Sequence, residues 1–154
     1  MLMKIQKTGQ VSIRNALPTD LDEVIALDEV VTGERKTAYW SGVFDRYVNG
    51  RRKDRYFLVA EAGGSIAGFI VGEVRAWEFG SAPCGWVFAV EVSPKKRELG
   101  IGQRMFEEMC GRLKQAGVTT VRTMMDRDDK LTLSFFRTQG LRTGRYLELE
   151  KQIE

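Results

Sequence analysis

An almost wholly apolar run, Gly85–Val92, leads through Ser93-Pro94-Lys95-Lys96 into Arg97-Glu98-Leu99-Gly100-Ile101-Gly102, and a helical pattern begins at once beyond it. A run of that length and character marks a strand covered on both faces. Met105, Phe106, Met109, Leu113 and Ala116 then recur at helical spacing, with Gln103, Arg104, Glu107, Glu108, Arg112 and Lys114 on the opposite, solvated side. A buried strand feeding a half-solvated helix through a short glycine turn confines the chain to helices layered on a sheet. The turn also carries chemistry. The first amides of a helix lack internal partners, and the helix dipole adds partial positive charge there. A pyrophosphate accepts several such amides at once. Gly100 and Gly102 remove Cβ atoms that would hold it away, and Lys95, Lys96 and Arg97 add formal charge.

Three phosphate-binding loops compete for this segment. A Walker A loop needs Lys and then Ser or Thr after its last glycine, whereas Gly102 is followed by Gln103 and Arg104. A dinucleotide fingerprint needs a third glycine where Met105 stands. A lone Gly-x-Gly turn would equally serve tight packing. The ordered context decides: Val92-Ser93-Pro94 precedes the turn and Arg97 stands three residues before Gly100. This arrangement resembles the cofactor loop of the GNAT N-acetyltransferase superfamily, Val-x-Pro followed by Gln/Arg-x-x-Gly-x-Gly/Ala. The likeness continues downstream, where Asp129, Phe136 and Gly140-Leu141 stand at the family's Asn, Tyr and Gly-Phe positions. Upstream, Ile13-Arg14-Asn15-Ala16 followed by Asp20 is similar to its opening strand and first helix.

The resemblance implies acetyl-CoA as cosubstrate, bound through Val90, Val92, Arg97, Glu98, Leu99, Gly100, Ile101, Gly102, Gln103, Asp129 and Phe136. It implies an α/β fold of the α+β type, a single mixed, mostly antiparallel sheet flanked by helices. Two of its central strands splay to admit the pantetheine arm. The whole chain, residues 1–154, is expected to form one domain, with Met1–Gln10 a flexible leader.

Composition narrows the chemistry. Apolar residues make up 43% and charged residues 29%, as in an ordinary globular protein. No apolar run approaches the roughly 18 residues that span a bilayer, and the N-terminus lacks the apolar core of a secretory signal. Cys84 and Cys110 make no disulfide framework, so a reducing cytoplasm is the simplest setting. Cys110 falls near the buried stripe of its helix and reads as a small apolar filler. With no histidine, Ser-His-Asp and Cys-His systems and histidine metal sites are excluded, and no metal is expected. A net charge of +3 suits an anionic cosubstrate. The basic run Arg51-Arg52-Lys53-Asp54-Arg55 lacks interleaved stacking aromatics, so no nucleic-acid partner is expected, nor a membrane. A homodimer is compatible with this reading.

Along the chain, Val11–Asn15 reads as a strand and Leu17–Asp20 as a helix start with Thr19 as N-cap. Leu21, Val24, Leu27 and Val31 form an apolar stripe that Thr32-Gly33 breaks. A second helix is expected over 34–48, with Trp40, Val43, Phe44 and Tyr47 on one face. Arg55–Glu61 and Ser65–Ala76 form a hairpin about Gly63-Gly64. Beyond the central helix come a strand at 118–125, a helix at 130–139 and a closing strand at 145–153, one long strand or two short ones from Arg142 onward.

Acetyl transfer by direct attack on the thioester needs a neutral amine, and a free alkyl amine is mostly protonated near neutrality at a pKa of about 10.4. Without histidine the proton acceptor is a carboxylate, a tyrosine, a thiol or water. Glu91 interrupts an apolar strand, so burial should raise its pKa toward a useful value. Asp126 ends the next strand and is the second catalytic candidate, and Glu73 is a third. The resemblance places a backbone N–H near Val92 against the developing oxyanion. Phe136 has no proton to return to the CoA thiolate, although a thiol pKa near 8.5 makes such help dispensable. In the family the two N-terminal helices form the acceptor wall, here Val31–Gly50 with Tyr39, Trp40 and Tyr47 as lining. Small-molecule and protein amines are equally compatible acceptors. The competing function is a catalytically silent acyl-CoA-binding sensor or interaction module.

Overall fold

The structure, a computed structural model, describes residues 10–154. Most of the expected leader therefore lies outside the described residues. The chain divides into two compact units, Met1–Met124 and Met125–Glu154.

The first unit holds β1 (Val11–Asn15), α1 (Leu21–Thr32), α2 (Thr37–Tyr47), β2 (Arg55–Ala62), β3 (Ser65–Arg75), β4 (Cys84–Val92), α3 (Ile101–Gln115) and β5 (Val121–Arg122). They form a five-stranded sheet in the order β1-β2-β3-β4-β5. The first three pairings are antiparallel, and β4 with β5 is parallel. This is the mixed, mostly antiparallel α+β arrangement that the resemblance implies.

Each face of the sheet buries a different layer. Phe57 and Val59 of β2 and Phe69 and Val71 of β3 join Val24, Ile25 and Leu27 of α1 and Trp40, Val43 and Phe44 of α2 in one core. Trp40 packs edge-on against Phe69 at 5.0 Å, and Phe44 against Phe57 at 4.9 Å. On the other face lies α3, whose Ile101, Met105, Met109 and Leu113 repeat every fourth residue and are fully buried. Glycines in the strands let it come close. A Cβ on Gly68 would meet Glu91 O at 2.8 Å and Met105 Cε at 2.9 Å, and one on Gly85 would meet Leu113 Cδ1 at 2.6 Å.

Two irregularities in β4 shape its far end. The β3–β4 register shifts between Val71 and Gly72, which pair with Ala89 and Val87, so Phe88 is an inserted residue. The β4–β5 ladder consists only of Gly85 with Val121 and Trp86 with Arg122. Thr123 Oγ1 still donates to Val87 O at 2.8 Å. From Phe88 to Val92, β4 has no strand partner on that side among the described residues. This is the parting of strands that the resemblance implies.

Several local expectations are corrected. The first helix is not capped by Thr19: a 3-10 turn, Pro18–Asp20, precedes α1, and Asp20 Oδ2 accepts the Leu17 N–H at 2.7 Å. Asp20 also pairs with Arg14, Nη1 to Oδ2 at 2.7 Å, tying the turn to β1. The second helix begins at Thr37, because Gly33 ends α1 in the left-handed region and leaves a short connection before Lys36. Ala116 is exposed rather than inward, since α3 ends one residue earlier and Ala116 is its C-cap. The strand expected at 118–125 shrinks to Val121–Arg122.

The second unit contains α4 (Lys130–Thr138). Residues 142–154 form no helix or strand, contrary to the closing strand expected there, and Leu147, Leu149 and Ile153 are exposed. Alternating apolar residues fit a pleat, but a strand needs a ladder partner as well.

Candidate functional site

Ser93 leaves β4 with its N–H donating to Ala67 O at 2.7 Å, on the β3 side. Successive amides along a strand alternate sides. The Val92 N–H therefore faces away from β3, toward the edge where the β4–β5 ladder has ended. Beyond Ser93 the chain winds as a 3-10 segment, Pro94–Leu99, and Gly100 takes φ +67°, a conformation that any side chain would strain. Gly100 is the N-cap of α3, and no side chain caps it. The first helical bond runs from Arg104 N–H to Gly100 O at 3.1 Å, so the amides of Ile101, Gly102 and Gln103 have no acceptor within the helix.

Around this turn the side chains divide. Lys95, Arg97 and Leu99 are exposed, and the Glu98 side chain lies outside the described residues. Lys96 is turned away from the amides, its Nζ donating to Ala62 O at 3.2 Å. Ile101 is buried beside Gly68, so only its backbone is offered outward. The Gln103 side chain donates to Glu107 Oε1 at 2.9 Å, leaving its amide to the helix terminus. Val90 and Val92 are half-buried opposite Ile70 and Gly68. The anion-binding capacity thus resides in backbone amides with Lys95 and Arg97 beside them.

Glu91 lies on the opposite face, directly across from Phe69 of the α1–α2 core. There it meets Asp28 of α1, whose carboxylate is 1% exposed. Lys36 Nζ donates to Asp28 Oδ1 at 3.0 Å and stands 3.0 Å from Oδ2 as well. The indole of Trp40, 2% exposed, faces the same carboxylate. Burial pushes the Glu91 pKa up from an ordinary 4.5 to about 8, and the adjacent Asp28 reinforces the rise by hydrogen bonding and by charge. Burial works in the same direction on Asp28, but Glu91, Trp40 and Lys36 outweigh it and hold Asp28 below its usual range. The two carboxyls behave as a pair with Asp28 ionised and Glu91 carrying the proton.

Asp28 and Lys36 were not legible as site residues. One signal existed: Asp28 stands four residues after Val24 and one after Leu27, a charge on the apolar stripe of its helix.

Other candidates have different occupations. Glu73 is held between two guanidinium groups, Arg75 at 2.9 Å and Arg55 at 3.4 Å. Tyr47 packs on Phe88 at 5.4 Å, while Tyr39 is exposed. Burial raises the Cys110 thiol pKa, as suits a filler rather than a nucleophile. Asp126, Asp129 and Phe136 belong to the second unit. Asp126 is exposed, and its Oδ1 accepts the Asp128 N–H at 2.9 Å. Asp129 caps α4, with Oδ1 on Thr132 N–H at 3.0 Å and Oδ2 on Thr132 Oγ1 at 2.6 Å. Phe136 is buried and packs edge-on against Phe135 at 5.1 Å. Among the described residues no cluster of Cys, Asp and Glu could hold a metal ion, and no helix is long and apolar enough to cross a membrane.

Compared with known families, residues 21–141 match the Acetyltransferase (GNAT) family. Comparison with curated sequences gave no match. Solved structures share the fold across nearly the full chain. The aminoglycoside N-acetyltransferase AAC(6')-Iy in complex with CoA superposes with a TM-score of 0.81 at 12% identity, covering 96% of this chain and 98% of that one. The 6'-N-acetyltransferase AAC(6')-Ih from Acinetobacter baumannii gives 0.78 at 15%, covering 94% and 100%. A transcriptional regulator from Bacillus halodurans C-125 gives 0.76 at 20%, also covering 94% and 100%. At these identities the likeness is one of fold.

Proposed function

The chain belongs to the acetyltransferase (GNAT) family, and on that footing we propose that it moves an acetyl group from acetyl-CoA to a primary amine by direct attack on the thioester. The observation that carries this reading is the course of β4. One strand offers a half-buried carboxyl at Glu91, an outward amide at Val92 and, one turn later, the uncapped start of α3. In the proposed reaction the amides of residues 101–103, with Lys95 and Arg97, take the pyrophosphate of CoA. The pantetheine arm follows the unpaired edge of β4, which brings the thioester carbonyl to the Val92 N–H. Ionised Glu91 removes a proton from the bound ammonium, a role of the kind that contributes about 10²–10⁴-fold. The amine nitrogen bonds to the carbonyl carbon, the oxyanion accepts the Val92 hydrogen bond, and the C–S bond breaks as the nitrogen's second proton passes, directly or through water, to the departing CoA sulfur. Asp129 and Phe136 enter as residues named by the resemblance, and Asp126 as the second candidate base from its place after the β5 strand.

The family match runs across both compact units, which supports reading 1–154 as one functional domain. The acceptor is a small-molecule or protein amine, and the structural neighbours named for aminoglycosides favour the small molecule. The absence of a hydroxyl at Phe136 favours a second reading, a silent acyl-CoA-binding module. Release of free thiol from acetyl-CoA across an amine panel separates the two. Turnover with any amine supports the enzyme, whereas tight CoA binding with no thiol release supports the module.

A further inference from the structure

Four buried side-chain polar atoms among the described residues have no hydrogen bond of regular geometry, and three of them belong to one cluster: Asp28 Oδ2, Trp40 Nε1 and Glu91 Oε2. Buried polar atoms are ordinarily satisfied; the indole N–H is a donor turned toward the Asp28 carboxylate, so the two carboxyl oxygens are the atoms that a ligand can complete. Their chemistry specifies the ligand. Once Glu91 is ionised both carboxyl oxygens seek N–H donors, and the Asp28 carboxylate is 1% exposed, so a cation that reaches it is poorly screened. Lys36 already answers part of this demand. Its ammonium lies 3.0 Å from both Asp28 oxygens but is aligned for a hydrogen bond only with Oδ1. It comes from the connection between α1 and α2, and its side chain remains about one-third exposed, at 31%. A compact ammonium on a flexible stem can withdraw into water when another cation takes its place against the carboxylate.

We propose that Asp28 anchors the ammonium of the acceptor amine and that Lys36 occupies that ammonium's place in the unliganded protein, so the site takes amines that arrive positively charged. This deepens, and rests on, the acetyl-transfer reading. An incoming alkylammonium displaces Lys36 and donates to Asp28 Oδ2 and Glu91 Oε2. It then passes one proton to ionised Glu91 and becomes the neutral nucleophile. An amine that is already neutral gains nothing from Asp28.

The test uses two acceptors of similar shape, benzylamine, which is charged near neutral pH, and aniline, which is not. Thiol release from acetyl-CoA gives KM and kcat for each, and tryptophan fluorescence reports benzylammonium binding without turnover. Lys36→Met is expected to lower the KM for benzylamine by about tenfold, with aniline changed less than about twofold. Asp28→Asn is expected to raise the benzylamine KM by about tenfold or more, with CoA affinity unchanged. Equal effects on both amines, or a higher benzylamine KM in Lys36→Met, would overturn the proposal. If the wild type releases no thiol with either amine, the acetyl-transfer reading has failed for these acceptors and binding decides the subsite. Tighter benzylammonium binding in Lys36→Met then supports it, and unchanged binding overturns it. Should Asp28→Asn not fold, Lys36→Met alone decides between the same two outcomes, because Lys36 is partly exposed.

Discussion

The turn before α3 presents its chemistry to water through backbone amides, whereas the Asp28–Glu91 cluster keeps its chemistry inside the α1–α2 face through side chains. Both flank the end of β4, where Glu91 stands a few residues before the turn in sequence. The turn depends on a left-handed glycine and an uncapped helix, and most nearby side chains could change without removing its donors. The cluster has no such tolerance. Its behaviour arises from burial, which raises the Glu91 pKa, and from the adjacent Asp28, which raises it further, so removing either partner changes both. One strand end can thus bind by geometry and react by electrostatics, with the two functions separable by mutation.

The sharpest separation should come from Glu91→Gln, which preserves shape and hydrogen bonding to Asp28 but cannot accept a proton. Turnover is expected to fall by about 10²–10⁴-fold while CoA affinity holds; an equal loss of CoA binding would erase the distinction between the regions. The converse substitution is Gly102→Trp, which sets a large ring over the first turn of α3. A loss of CoA affinity on the order of 100-fold is expected, with an unchanged circular dichroism spectrum. Retained affinity would remove the turn from the binding site.

Gly68→Val probes what joins the regions, because its Cβ would press on the Glu91 carbonyl and on Met105. Overpacking of this kind should destabilise the fold by about 1–3 kcal/mol in chemical denaturation. The mildest change is a pH dependence. Glu91, faced by Asp28 and Lys36, holds its proton up to about pH 8, so turnover should rise with pH through that value. An acid limb near 4.5 would take the buried pair out of the reaction. The folded state binds this proton more tightly than the unfolded chain does. Its contribution to stability is therefore full below pH 4.5 and is lost as pH climbs through about 8. Melting temperatures of Glu91→Gln should lack that part of the decline.

Much of this molecule could be read in advance, and the exceptions share a cause. The helix after the turn and the hairpin at Gly63-Gly64 follow from local periodicity and turn chemistry, and both stand where expected. Residues 145–153 carry a strand's alternation yet form none, because pairing depends on a distant partner. Thr19 has the right side chain for a cap, but Asp20 wins because Arg14 and the Leu17 amide both reach it.

Residue order alone was enough to specify the amide-lined turn before α3, since its donors are consecutive amides whose positions follow from a strand, a glycine and a helix start. It also isolated Glu91 as the polar exception in an apolar strand. What Glu91 is, by contrast, emerges only on folding: the packing of α1 and α2 onto β4 brings Asp28, Lys36 and Trp40 against it. A pKa is set by neighbours in space and by the water they exclude, and neither is written in the order of residues along the chain.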